Sequence, residues 1–178
     1  MISVIIPYYE SDEGKPAILK RLVDSLNGYD ELIVVWNDKM GYAKAINKGL
    51  ALAKGDHMIV MNDDLIMQSG SLRDLPSDRG VTSPVVNDRM QPFWGCCFCI
   101  PRWVYESVGG LYEGYRISYY DDDDYIQLLK KGNVPMDCVD KVKFSHPEGG
   151  RTLHTFPDHP EFFKENQAKF KERWGFIP

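Results

Sequence analysis

The sequence predicts an α/β fold: a Rossmann-like, mostly parallel central sheet with flanking helices, in one domain that ends in a helix. Two observations predict it. Three apolar runs, "SVIIPYYE", "ELIVVWND" and "HMIVMNDD", have the continuous character of strands buried on both faces. Between them lie two segments with helical spacing, so the first 64 residues read strand, helix, strand, helix, strand. That alternation implies parallel strands with right-handed crossovers.

Each element has its own signal. In "KPAILKRLVDSLNG", Ile18, Leu22 and Leu26 lie four apart with Leu19 and Val23 beside them, and Gly28 stands at the stop. "GYAKAINKGLALAKGD" repeats the pattern through Ala43, Ile46 and Leu50. Further on, "GVTSPVV" and "PFWGCCFCI" read as strands, and "PRWVYESVGG" as a short helix stopped by glycine. "YYDDDDYIQLLKKG" is a helix with acids in its first turn, where the macrodipole favours them, and with Tyr125, Leu128 and Leu129 on one face. "VPMDCVDKVKF" reads as a strand pair. The tail "PEFFKENQAKFKERWG" is an amphipathic helix with Phe163, Phe170 and Trp174 along its apolar face.

The 178 residues favour one domain and allow a real core, which buries roughly 70% of the surface of the unfolded chain. The net charge of −5 argues against a broad nucleic-acid surface. No apolar run reaches the ~20 residues of a membrane span. "MISVIIPYYE" lacks a basic n-region and a small-residue cleavage site, so we expect no signal peptide and a cytoplasmic protein. Cys96, Cys97, Cys99 and Cys138 are then expected as reduced thiols. A zinc site from Cys96, Cys99, Cys138 and His146 lacks a second paired motif, and the apolar neighbours favour strand core.

All three early strands end in polar residues: Tyr8, Tyr9 and Glu10; Asn37 and Asp38; Asn62, Asp63 and Asp64. Ligands of such sheets bind beyond the carboxyl ends of the strands. Neither G-x-G-x-x-G nor a P-loop is present. A divalent metal on carboxylates is the other common way to hold phosphates. In an extended "NDD", Asn62 and Asp64 face one way with Asp63 turned aside, and hard oxygen ligands suit Mn²⁺ or Mg²⁺. The alternative is a polar turn after a strand. The run Asp121–Asp124 is either a solvated helix start or a set of perturbed carboxylates containing a general base. His146, just past a strand, is either structural or a nitrogen ligand to a mixed O/N site. An EF-hand loop fails, because Ile126 and Gly132 hold the positions that need Gly and Glu.

The order and spacing of these pieces resemble the small inverting glycosyltransferases of the GT-A fold, close to family 2. "SVIIPYYE" resembles that family's opening strand and "LIVVWND" its nucleotide-binding acidic pair. "GYAKAINKGLALAKGDHMIVMNDDL" resembles the stretch running into its D-x-D motif, and "GCCFCIPRWVYESVGGLYEGY" its G…R…-G-G-F-D-E segment. "YYDDDDYIQLLKKG" resembles its E-D helix, "VKFSHPEGGRT" its late histidine, and "FFKENQAKFKERWG" its C-terminal N…F…K-W-G helix.

The resemblance implies a hexosyl transfer from a nucleoside-diphosphate sugar, UDP first, to a glycan, lipid-linked or other hydroxyl acceptor with inversion. It implies Mn²⁺ or Mg²⁺ on Asp64, Asn62 and His146. It makes Asp122 the base, with Asp123 and Asp121 as alternatives. Pro7, Tyr8, Glu10, Asn37, Asp38 and Asp63 fall to the nucleotide. Lys44 reaches the diphosphate or is a surface lysine, and Arg151 closes over the phosphates as a lid or stays clear of them. Trp94 and Gly95 line the sugar and acceptor pocket, or Trp94 is core. Residues 1–90 form the nucleotide-sugar half, 91–155 the acceptor half, and 156–178 the C-terminal helix. Many enzymes of this kind use lipid-linked acceptors, so a peripheral membrane contact by the tail helix is a further expectation, weakened by its mixed charge. The competing classes are a nucleotidyltransferase, which would want a Gly-rich basic loop in place of "YYESDEGK", and a silent sugar-nucleotide or glycan-binding module, which Asn62 favours.

Overall fold

The computed structural model describes residues 1–9, 15–146 and 156–178. Its described strands are β1 (Ile2–Tyr8), β2 (Glu31–Trp36), β3 (His57–Met61), β4 (Ile66–Ser69), β5 (Val81–Val86), β6 (Cys97–Pro101) and β7 (Met136–Ser145). Its described α-helices are α1 (Lys15–Ser25), α2 (Tyr42–Leu52), α3 (Arg102–Val108), α4 (Asp121–Lys131) and α5 (His159–Trp174). The strands form one sheet in the order β2-β1-β3-β6-β5-β7-β4. β1 pairs in parallel with β2 and β3, and β5 with β7. β6 runs antiparallel between β3 and β5, and β4 runs antiparallel at the far edge. The sheet is thus mostly parallel.

The alternation of side chains along central strands builds two cores. Ile5 of β1, Met58 and Val60 of β3, and Phe98 and Ile100 of β6 face one side, against Ile46 and Leu50 of α2 and Tyr125 and Leu129 of α4. Val4 and Ile6, Ile59 and Met61, and Cys97 and Cys99 face the other, against Leu22 and Leu26. Continuous apolar strands are what a sheet covered on both faces requires.

Three expectations change. "VPMDCVDKVKF" holds one strand, from Met136 on, and not a pair. β7 follows β5 from Met136, and the register jumps from Pro84↔Val139 to Val85↔Lys143. Proline has no N–H for the ladder, and the slip falls beside it. The buried face of α5 is Phe162, Asn166 and Phe170, whereas Phe163 is 39% exposed. Four-residue spacing from Phe162 passes through a buried asparagine, so counting apolar letters selects Phe163 in place of Phe162, while Phe170 is buried and Trp174 packs beside it as expected. β4 carried no periodic signal, since only Met67 of its four residues is buried. No described helix is long and apolar enough to cross a membrane.

Candidate active site

A cleft opens beyond the carboxyl ends of β1, β2 and β3. Pro7 and Tyr9, Asn37 and Lys39, and Asn62, Asp63 and Asp64 line it, with Gly41 and Tyr42 at the start of α2 and Ile117, Ser118 and Phe156 opposite. The Tyr9 ring packs at 5.3 Å on Phe156. β3 ends at Met61, and the next residues turn, so strand alternation does not apply to "NDD". Asp63 is therefore not turned aside but lines the same cleft.

The ends of β3 and β7 bring the three proposed ligands together. His146 Nε2 stands 3.1 Å from Asp64 Oδ1 and 3.5 Å from Asn62 Nδ2. Asp64 is only 6% exposed. A carboxylate, an imidazole and an amide oxygen suit a hard or borderline divalent cation. Two of these donors, the imidazole and the amide, are neutral, and Asn62 turns its Nδ2 toward His146 while its Oδ1 accepts from Tyr42. No group of three or more His, Cys, Asp or Glu is arranged to hold a metal ion among the described residues. The four cysteines are free thiols, with Cys97 and Cys99 buried in the sheet core, as the strand reading of C-x-x-C expects.

His146 is held by its backbone. Its N–H donates to Asn87 Oδ1 at 2.9 Å, and Asn87 Nδ2 donates to its carbonyl at 2.8 Å. Asn87 sits at φ 50, a left-handed conformation that asparagine tolerates better than most residues. The sequence offered only a turn-like "ND" there.

A second missed residue, Tyr42, ties the acidic helix to this cluster. Its hydroxyl lies 2.6 Å from the Gly95 carbonyl and 3.0 Å from Asn62 Oδ1. Burial pushes its phenol well above the usual range. A Cβ on Gly95 would come within 2.6 Å of both Asp122 Cβ and Oδ2. The glycine lets the N-terminus of α4 abut the loop beside the "NDD" turn.

The four aspartates then separate. Asp124 is fully buried, and its Oδ2 accepts from the Tyr115 hydroxyl at 2.8 Å and from Arg173 Nε and Trp174 Nε1 at 2.7 Å each. It anchors α5. Asp121 is 3% exposed, and its Oδ2 has no hydrogen-bond partner among the described residues. Burial, then the charge of Asp122, hold its carboxyl well above the usual range. Burial also raises Asp122. Asp123 is pushed up to about 6 by burial and by Asp122. Asp122 and Asp123 are the partly exposed pair.

The remaining expected residues distribute unevenly. Asn37 lines the cleft while Asp38 is exposed and lies outside its lining. Lys44 is exposed on α2, and the lining lysine is Lys39. Tyr8 is buried with its ring 5.4 Å from Trp36, and Tyr9 takes the place at the cleft. Trp94 is half-buried, with its backbone N–H donating to Ser83 Oγ at 3.0 Å. Glu10 and Arg151 lie outside the described residues.

Residues 10–76 match the model of Glycosyl transferase family 2. No curated protein sequence matches the chain. Among solved structures, it is similar to a mutant of Drosophila β1,4-galactosyltransferase 7 solved with manganese, UDP-Gal and xylobiose. That match has a TM-score of 0.65 at 15% identity and covers 90% of this chain and 78% of that one. GalNAc-T7 with UDP, GalNAc and Mn²⁺ matches with a TM-score of 0.75 at 14% identity, over 97% of this chain and 48% of that one. The mannosyltransferase PcManGT from Pyrobaculum calidifontis, with GDP-Man and Mn²⁺, matches with a TM-score of 0.65 at 16% identity, over 99% and 65%. The chain has the GT-A fold, and over residues 10–76 it matches glycosyl transferase family 2.

Proposed function

We propose that this chain is a metal-dependent glycosyltransferase that moves a hexosyl group from a nucleoside-diphosphate sugar to an acceptor hydroxyl with inversion. One observation carries the reading. Asn62 and Asp64 line the cleft with His146 bonded to them from behind, and Tyr42 and Gly95 join this cluster to the partly exposed Asp122, which stands outside the lining. The fold it shares with Mn²⁺- and sugar-nucleotide-bound transferases supports it.

Pro7, Tyr9, Asn37 and Lys39 would take the nucleoside, with UDP as first donor. Asp38, Glu10 and Arg151 keep the nucleotide roles that the resemblance implies. Asn62, Asp64 and His146 would hold Mn²⁺ or Mg²⁺, which when bound stabilises charge growing on the diphosphate. Asp122 takes the proton of the acceptor hydroxyl as its oxygen bonds to the anomeric carbon. The bond from that carbon to the diphosphate oxygen breaks, and the nucleoside diphosphate leaves. Burial makes Asp122 a stronger base than a solvated carboxylate. Asp63 borders the diphosphate, and Trp94 and Gly95 the sugar. Residues 1–90 supply the donor half and 91–155 the acceptor half.

Calorimetric titration of UDP, GDP and dTDP, each with Mn²⁺ and again with EDTA, tests the reading. Metal-dependent binding of one nucleotide, lost in Asp64→Ala, is expected. Folded protein that binds none of them overturns the donor site. The neutral Asn62 favours a second reading, a binding module without turnover. Donor-sugar consumption that Asp122→Asn abolishes, with nucleotide binding retained, rules that out.

A further inference from the structure

The segment leading into α4 is held in an unfavourable backbone. Ile117, Tyr119 and Tyr120 have φ of 63, 77 and 68, and none is glycine. Left-handed conformations cost energy for such residues and persist only where the surroundings over-determine them. Here one side chain of α5 does so. Asn166 Oδ1 accepts from the Arg116 N–H at 2.8 Å. Its Nδ2 lies 2.9 Å from the Arg116 carbonyl, 2.8 Å from that of Ser118 and 3.3 Å from that of Tyr119. Asn166 is fully buried, on the face of α5 between Phe162 and Phe170. Its amide thus takes the place of a partner strand for a loop that pairs with no strand among the described residues.

The same loop runs from the cleft wall to the acidic turn of α4. The Ile117 carbonyl accepts from the Tyr42 N–H at 2.6 Å, and Ile117 and Ser118 line the cleft. Three residues after Ser118 the acidic turn of α4 begins.

We infer that Asn166 is a positioning residue, acting from outside the cleft. Through the loop 116–120 it sets both the wall facing the nucleotide and the placement of Asp122. The inference rests on the proposed transferase reading for its functional consequence, but the mechanical part stands by itself. Alanine removes all four contacts without weakening α5 intrinsically, since it is the best helix former.

The test compares wild type with Asn166→Ala at a temperature where both are folded by circular dichroism. Amide hydrogen exchange at Tyr42 reads the loop, calorimetry with Mn²⁺ and UDP or GDP reads the nucleotide wall, and kcat against KM reads the acid. Displacements near 1 Å cost up to about a hundredfold in rate, so a fall of about ten- to a hundredfold in kcat is expected. Weaker nucleotide binding and faster exchange at Tyr42 should accompany it. Unchanged kcat, nucleotide Kd and Tyr42 exchange per folded molecule, with only a lower Tm, overturn the inference and leave Asn166 as a packing residue. If the alanine variant does not fold, Asn166→Ser is read in the same way. If wild type neither binds nucleotide nor transfers sugar, the transferase reading fails, and Tyr42 exchange still decides the clamp.

Discussion

His146 Nε2 lies 3.1 Å from Asp64 Oδ1, across 82 residues of sequence. Asn87 grips the backbone of His146 at both N–H and carbonyl, so the ring is placed by a residue that does not itself line the cleft. Asn87→Ala should weaken Mn²⁺-dependent nucleotide binding by about ten- to a hundredfold, the usual effect of losing support behind a metal ligand. Calorimetry at fixed nucleotide and varied Mn²⁺ reads it. Unaltered Mn²⁺ affinity would mean that the clamp is dispensable.

Asn62→Asp gives the "NDD" turn a third carboxylate, the second among the proposed ligands beside Asp64. Ligand charge tunes cation affinity, so Mn²⁺ should bind more tightly than in wild type. A Mn²⁺ titration in the presence of nucleotide measures this. Weaker binding would show that repulsion among the acids 62–64 outweighs the added attraction.

Gly95→Ala drives a methyl to within 2.6 Å of the Asp122 carboxylate. Asp122 must shift, and kcat should fall about ten- to a hundredfold. Nucleotide affinity should change much less, because Gly95 lies outside the cleft lining. A fall in nucleotide affinity with kcat intact would reverse the assignment of the two halves.

Asp121 is buried, and its carboxyl is raised well above the usual 3.8 by burial and by Asp122. The folded chain therefore binds more protons at this site than the unfolded chain once pH exceeds 3.8. Its contribution to stability is present below that pH and is lost as pH rises toward the raised value. Asp121→Asn should raise Tm at pH 7.5 and change it little at pH 4. Thermal melts across that range check the sign.

Asp124 plays the opposite part, since its charge is matched by Arg173 and bonded by Tyr115 and Trp174. Asp124→Ala should cost about 2–3 kcal/mol, the scale of losing hydrogen bonds to a buried charge. Denaturant unfolding would show it. A cost near zero would mean that Asp124 adds nothing to the docking of α5 beyond its phenylalanines and Asn166.

Local pattern was enough for much of this molecule. Apolar runs marked six of the seven described strands, and four-residue spacing marked the helices, because burial on both faces of a sheet leaves its imprint on every residue. The polar residues at three strand ends named the side on which the cleft opens. β4 was silent because a short edge strand with one buried residue has no period to read. The antiparallel course of β6 was equally invisible, since a buried strand reads alike in both directions. Four successive aspartates are one letter repeated. Tertiary packing makes Asp124 a structural anchor for α5, while Asp121 Oδ2 lies buried with no partner among the described residues and Asp122 stays partly exposed. The sequence by itself determined the layers and which residue types could do chemistry. The tertiary structure alone decided which of them meet. Contacts such as Asp64 with His146, or Asn166 with the 116–120 loop, depend on long-range closure that no local spacing records.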